Sequence, residues 1–565
     1  MGRTTTLRSR VRTILATASV LGLGLLSPIA VHALKSTPAQ GSSERSSLVV
    51  STATGKVRGL AQTGYDAWLG IPYAADPTAT NRWTAPRPAS AWSGIRDASR
   101  FGDRCAQSSG WDPGYEKTIT TEDCLDLNVY APQGSTQGNT RGSGTDTPVV
   151  VWIHGGGFTG GAGQDTNPRK FVQQTGAIVV TVNYRLGPLG YLNLPQLRAE
   201  NANGAGNYGL LDQQTALRWV RSNIGHFGGD AKNVTIAGQS AGGSSVCDQL
   251  ASPTAKGLFA RAVIMSGGCA LQTAAAGETQ SQAFVKEIGC ATASDVLACL
   301  RAKPAAAIVA AQLKAPIRPS LGGTAFPVDP GTAVQAGNFT KVPVMLGQTN
   351  SERGLFTFQN YDYLGTPMTA DQYTQAVKST YGTNADKVLA EYPLTAYPTP
   401  GQAWTAVQNG STSYDRQQLM ARLSKWVPTY AYEFAESDTP HFTSIYRLQQ
   451  QSATARDFPF GGAIHVDDLG YLWDYLGQTL PYDDDQLELS HQMITFWDHF
   501  TTTGDPNGSG TPNWPKYSTG TGELMSLKAC DTAPSSNEPP AACSKVTRDF
   551  AQEHNLAFWQ SLSSA

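Results

Sequence analysis

Residues 236–245 read IAGQSAGGSS, in which Ser240 is set among glycine and alanine. The stretch closes an apolar run, NVTIAG, and opens a segment with helical spacing. Small residues at such a junction have two readings. One is a tight turn, because Gly and Ser are common wherever the chain reverses. The other is a sharp strand-to-helix turn whose small neighbours let the backbone double back and leave the serine hydroxyl exposed as a nucleophile. A lone G-x-S-x-G does not separate them; the surrounding segments do.

Four more apolar runs match NVTIAGQS: PVVVWIHGGGF (148–158), AIVVTVNYRLG (177–187), LFARAVIMSGG (258–268) and KVPVMLGQTN (341–350). Each is short, nearly continuous and closed by Gly or polar residues, the pattern of strands buried on both faces. Between them GLLDQQTALRWVRSNI (209–224) has helical spacing, with Gly225 past its end. Strands alternating with helices predict an α/β fold, a large central, mostly parallel sheet covered by helices on both faces. SLVVSTATGKVRGL (47–60) reads as strand, turn, strand; residues 280–315 and 368–440 read as helices; QLELSHQMITFWDHFTTTGDPN (486–507) reads as a late helix closed by Gly504 and Pro506. GSTQGNTRGSGTDTP (134–148) reads as an exposed loop. The acidic run Asp483–Asp485 reads as a solvated loop or a helix start rather than a cation site, since no EF-hand spacing surrounds it.

The chemistry follows from the strand ends. His154-Gly155-Gly156-Gly157-Phe158 closes the run VVVWI. Glycines let backbone amides turn toward a substrate, and preorganised N–H groups stabilise the oxygen anion of a tetrahedral acyl intermediate. The amide of Ala241, the residue after the serine, would complete the hole formed by this glycine loop. No Lys-Ser/Thr follows, which argues against a phosphate loop. A serine needs a base, and in this architecture acid and histidine follow the serine in the chain. Of the later histidines, His491, His499 and His554 lie in helical patterns and His441 follows Pro440 in a polar turn. His465 sits in FGGAIHVDDLGYLW, a glycine-led loop between apolar segments, and is the candidate base. The acid should end a strand before it. Glu352, just past KVPVMLGQTN, is the candidate; Asp329 in FPVDPG competes, while Asp467 and Asp468 break the chain order.

Composition sets the bounds. The chain has 565 residues, 40% hydrophobic, and a formal net charge of −2, so no basic field argues for nucleic acid or anionic lipid. Arg3, Arg8, Arg10 and Arg12 precede the apolar ILATASVLGLGLL, and Val31-His32-Ala33 is a small-residue cleavage site: residues 1–33 read as a signal peptide, 34–45 as a flexible leader, and the chain as secreted. No other stretch is apolar enough for stable membrane insertion. The eight cysteines fit that route and fall into neighbouring pairs along the chain, Cys105 and Cys124, Cys247 and Cys269, Cys290 and Cys299, Cys530 and Cys543, although spacing alone does not fix connectivity. No C-x-x-C spacing suggests a metal site.

WLGIPYA, EDCLDLNVYAP, VVWIHGGGF, VNYRLGPLGYL, GNYGLLDQQTALRWVRSNIGHFGGD, NVTIAGQSAGG and FTTTGDPN, in this order, resemble signatures of the type-B carboxylesterase family, which includes cholinesterases and bile-salt-type lipases. The resemblance implies a single α/β-hydrolase domain over residues 46–565 and secreted hydrolysis of carboxylic esters without metal or organic cofactor. It implies Ser240, Glu352 and His465 as a triad, Gly156, Gly157 and Ala241 as the oxyanion hole, bridges Cys105–Cys124 and Cys290–Cys299, and Phe158 at the acyl pocket. The substrate would be a small-molecule or lipid ester, and a monomer is the default state. There are two departures. Gln239 stands where the family usually has Glu, which argues against a choline-ester specialist, and Arg353 separates Glu352 from Gly354. The rival readings are a lipase or sterol esterase acting on aggregated lipid, and a non-catalytic adhesion protein of the same fold; the presence of all three triad candidates argues against the latter.

Overall fold

The computed structural model describes residues 48–108, 118–137, 147–201, 206–442, 458–530 and 542–563. The signal peptide, the leader and most of the 134–148 loop lie outside the described residues.

The five apolar runs form the middle of an eleven-stranded sheet. In chain order its strands are β1 (Leu60–Gln62), β2 (Tyr65–Pro72), β3 (Asp126–Pro132), β4 (Thr147–Ile153), β5 (Ile178–Val182), β6 (Gly229–Gln239), β7 (Arg261–Met265), β8 (Val344–Thr349), β9 (Thr429–Phe434), β10 (Leu524–Leu527) and β11 (Lys545–Thr547). Their spatial order is β11-β10-β9-β8-β7-β6-β4-β5-β3-β2-β1. The run from β10 to β5 is parallel throughout, and antiparallel strands close both edges. Every residue of β4 and β5 is buried, as a strand covered on both faces requires. The two apolar faces pack into separate cores; Val151, Ile236 and Ile264 point into one, Val150, Ala237 and Val263 into the other.

Helix α1 (Tyr208–Asn223) matches the helical reading of 209–224. Helix α2 (Ala241–Ala251) follows Ser240, α3 is Pro400–Ser424, and α4 is Asp484–Thr503. The acidic run is the start of α4: Asp483 Oδ1 accepts from the Gln486 amide at 2.8 Å, and Gly504 ends the helix with φ 85°. One expectation is corrected. Residues 368–440 are not helical throughout, because TYAYEF forms β9 in the central sheet. Its aromatic and β-branched residues are all buried, and those residue types fit a covered strand.

All eight cysteines are paired, Cys105–Cys124, Cys247–Cys269, Cys290–Cys299 and Cys530–Cys543, with Cα separations of 5.1, 5.3, 5.8 and 4.8 Å. These fall in the usual disulfide range.

Asp248 on α2 is 1% exposed, and neither carboxylate oxygen has a hydrogen-bond partner among the described residues. Burial, with a smaller contribution from Asp329, holds its carboxyl well above the usual range. Such a group binds more protons folded than unfolded, so stability falls as pH rises from its unfolded value toward its folded one. Asp248→Asn should remove that decline, so the Tm of the variant relative to wild type should climb with pH. Parallel Tm–pH curves would refute the assignment.

Candidate active site

The register explains why chemistry gathers at one edge of the sheet. Gly238 of β6 lies opposite Ile153 of β4, and Gln239 opposite Met265 of β7. Ser240 therefore leaves the sheet where both neighbours end, at the carboxyl edge where open α/β sheets place their ligands. Its backbone is bent sharply, φ 58° and ψ −121°, a conformation costing a non-glycine residue about 1–3 kcal/mol. The turn is held by the Ser240 amide, which donates to the Met265 carbonyl at 2.9 Å. The glycines make it possible: a Cβ on Gly238 would sit 2.7 Å from the Ile153 carbonyl oxygen, and one on Gly242 would collide with that oxygen and lie 2.8 Å from that of His154. Gly242→Ala is expected to lower stability by about 1–3 kcal/mol, the usual cost of overpacking, as a fall in Tm. A variant with unchanged Tm and activity would show that the turn is looser than this.

The loop after β4 adopts positive φ at Gly156 (108°), Gly157 (61°) and Phe158 (63°). Among the described residues the Gly156, Gly157 and Ala241 amides donate no loop or turn hydrogen bond. Beneath the loop, His154 stacks on Tyr184 at 4.3 Å; burial, opposed by its bond to the Gly155 carbonyl, lowers its pKa to about 4, so it is a neutral packing group.

Glu352 and His465 lie 113 residues apart in the chain, yet one residue beyond a shared backbone bridge. Ser351 pairs with Ile464; the Ser351 amide donates to the Ala463 carbonyl at 2.9 Å, and the Ala463 amide to Asn350 Oδ1 at 2.8 Å. The next residue on each side is then Glu352 and His465, with Oε1 and Nδ1 2.5 Å apart. The other carboxylate oxygen, Oε2, accepts from Ser266 Oγ at 2.9 Å, Thr349 Oγ1 at 2.9 Å and the Thr349 amide at 3.2 Å. Burial alone would raise the Glu352 carboxyl; His465, Arg416 and Ser266 together outweigh it, and the group lies below its usual range. His465 is 6% exposed, and its Nε2 has no hydrogen-bond partner among the described residues. The Phe356 ring packs against the imidazole at 4.8 Å.

Ser240, Glu352, His465, Ala241, Gly157 and Phe158 line one cavity of about 580 Å³, within the range of small-molecule sites. Gln239 reaches under it: its Nε2 donates to the His465 carbonyl at 2.6 Å, a bond an ionised carboxylate cannot make. The rejected candidates have structural duties. Asp329 caps a short helix, accepting from the Thr332 and Leu271 amides at 3.0 and 3.2 Å. Asp467 accepts from the Ile464 amide at 2.7 Å and meets His441 Nδ1 at 3.0 Å. His554 meets Glu433 at 2.5 Å and ties the C-terminal segment to β9. Sequence reading missed Ser266, Thr349, Phe356 and Arg416. The first two had a signal, a polar residue directly ending an apolar strand.

A serine on a strand-to-helix turn, at the carboxyl edge of a mostly parallel sheet with a histidine and a carboxylate in the same cavity, defines the α/β-hydrolase class. The chain belongs to the carboxylesterase family, which it matches over residues 46–559, and it is a carboxylic ester hydrolase. It is 33% identical to para-nitrobenzyl esterase of Bacillus subtilis over 503 residues, covering 85% of this chain and 94% of that one, and 32% identical to carboxylesterase 3 of Pongo abelii, covering 83% and 85%. Among solved structures it is similar to a carboxylesterase of Geobacillus stearothermophilus, with TM-score 0.73, 27% identity, and coverage of 91% of this chain and all of that one.

Proposed function

We propose that residues 46–565 form one secreted hydrolase domain that cleaves carboxylic esters with Ser240 as nucleophile, His465 as general base and acid, and Glu352 as the group that holds His465. The observation that carries this reading is the imidazole itself: Nδ1 lies on a buried, ionised carboxylate, while buried Nε2 is left free in the cavity that holds the serine.

An ionised carboxylate only accepts, so Nδ1 carries the ring hydrogen and Nε2 is the basic nitrogen. Nε2 takes the Ser240 proton as Oγ attacks the ester carbonyl. The carbonyl oxygen becomes an anion, which the Gly156, Gly157 and Ala241 amides stabilise. The imidazolium, stabilised by Glu352, returns its proton to the departing alcohol and leaves an acyl-serine. Nε2 then deprotonates a water that attacks the acyl carbon; as the acyl–oxygen bond breaks, the imidazolium returns that proton to Ser240 Oγ and the acid leaves. Export is supported by four cysteine pairs and by the signal-like N-terminus, with the mature chain beginning near Leu34. Among the described residues no helix is long and apolar enough to cross a membrane.

The test is covalent labelling. An organophosphonate should modify Ser240, and peptide mapping should find the adduct on that residue. Label on another serine with Ser240 unmodified would remove the assignment.

Gln239 gives a second expectation. With no carboxylate beside the serine, choline esters should be cleaved little better than neutral esters of equal size. Gln239→Glu should lower kcat/KM for both, through loss of the bond to the His465 carbonyl. It should also shift their ratio toward the cation by about 1 kcal/mol, as a nearby charge does. A wild type that strongly prefers the cation would refute this account of Gln239.

A further inference from the structure

The cavity that holds Ser240 is also lined by Arg318, Arg353, Arg416 and Arg422. They come from three places in the chain: the loop before Pro319, the turn after β8, and α3, where Arg416 and Arg422 are six residues apart. Against four guanidinium groups stand two lining carboxylates, Glu352 and Asp415. Glu352 is engaged by His465, Ser266 and Thr349. Asp415 makes no direct ion pair with any of the four arginines; burial disfavours its charge, and Arg416 and Arg422 nearby offset this only in part.

Elsewhere in the molecule buried arginines are matched. Arg185 is bound by Asp212 at 2.7 Å, and Arg82 is paired with Glu122 and with three backbone carbonyls. Arg416 is as buried, 5% exposed, and its Nε has no partner; Arg353 is half-buried and its Nε is likewise unpartnered. The Arg353 guanidinium lies over the Phe356 ring at 4.4 Å, and that ring touches His465 at 4.8 Å, so this charge stands close to the reacting groups. Burial disfavours the charge on Arg353, Arg318 adds like-charge repulsion, and Glu352 only partly offsets them. Buried guanidinium donors left unfilled, as the Nε groups of Arg353 and Arg416 are, carry a cost that an arriving anion would offset. Their planar donor sets match a carboxylate, which they can grip with two parallel bonds.

We infer that the preferred substrate is an ester that carries a second, free carboxylate, held by Arg318, Arg353 and Arg422 with Arg416 behind them, while its ester carbonyl meets Ser240. This rests on Ser240 being the nucleophile. Gln239 fits it: a family-type glutamate beside the serine would oppose an anionic substrate.

The experiment compares kcat/KM for matched ester pairs in wild type, Arg318→Gln and Arg422→Gln, the two arginines that do not adjoin Glu352. One series puts the carboxylate on the acyl side, 4-nitrophenyl hemiglutarate against 4-nitrophenyl valerate. The other puts it on the alcohol side, 4-acetoxybenzoate against 4-methylphenyl acetate. In at least one series the wild type should prefer the anion by about tenfold or more, since one charged hydrogen bond is of that size. The preference should shrink with added salt and fall by about tenfold in either variant, with the neutral ester as reference in each protein. A preference in one series only places the carboxylate on that side of the scissile bond. Neutral esters cleaved as well as anionic ones in both series, with Ser240 labelled by phosphonate, would overturn the inference and leave the catalytic reading standing. Neither ester cleaved and Ser240 unlabelled would overturn both.

Discussion

Ser240→Ala is expected to lower kcat/KM for a short aryl ester by about 10⁶-fold, the scale on which serine hydrolases lose rate with their nucleophile. The reason is local. Alanine keeps the Cβ and the φ of 58° but has no oxygen to attack with. It keeps the small neighbours that the turn demands, and the amide that donates to Met265 is backbone and survives. The fold should therefore be retained, seen as an unchanged Tm, so the loss is chemical. Residual turnover of about 10³-fold over water would still be expected from the oxyanion donors and binding alone. Near-normal turnover in the variant would remove Ser240 from the mechanism.

Much of this site was legible in the chain because its parts lie at strand ends. An apolar run that stops at a glycine announces both a central strand and the point where its loop faces solvent, and β4, β6 and β8 each do this. Ser240, the 155–157 glycines and Glu352 were all singled out that way. His465 was found by its glycine-led loop and by chain order. What brings His465 to Glu352 was not legible: the Ser351–Ile464 bridge joins segments more than a hundred residues apart and has no local signature. The arginines were illegible for a related reason. Arg416 lies within YDRQQLMARLSKWV, whose spacing says helix, and an arginine on a helix is ordinarily a solvated charge. Only packing α3 against the cavity at the carboxyl edge of the sheet turns that residue inward. Strand β9 shows the opposite case. TYAYEF had the residue types of a strand but followed a long helical stretch, and burial on both faces decided its state.

Glu352→Gln should cost about 10³–10⁴-fold in kcat, although it changes one atom. The geometry forces this. Three donors, Ser266 Oγ, Thr349 Oγ1 and the Thr349 amide, converge on Oε2. A glutamine must place its amide oxygen there, because the Thr349 amide can only donate and an NH₂ group would face it. The NH₂ then occupies the Oε1 position, 2.5 Å from His465 Nδ1, and it can only donate. Nδ1 must become the acceptor and the ring hydrogen moves to Nε2, the nitrogen that takes the serine proton in the proposed mechanism. The variant should fold, yet react slowly with both ester and phosphonate, since both need an activated Ser240. The acid side of the stability curve should change too. Glu352 lies below its usual range when folded, so its ionisation contributes stability above the unfolded value, and that contribution is lost as pH falls through the folded one. Glutamine removes this term, so the Tm gap between wild type and variant should narrow as pH falls below the usual carboxylate range. Near-normal kcat would show that another carboxylate orients His465. Asp329 is then the one to replace next, although its two oxygens already cap Thr332 and hold the Leu271 amide.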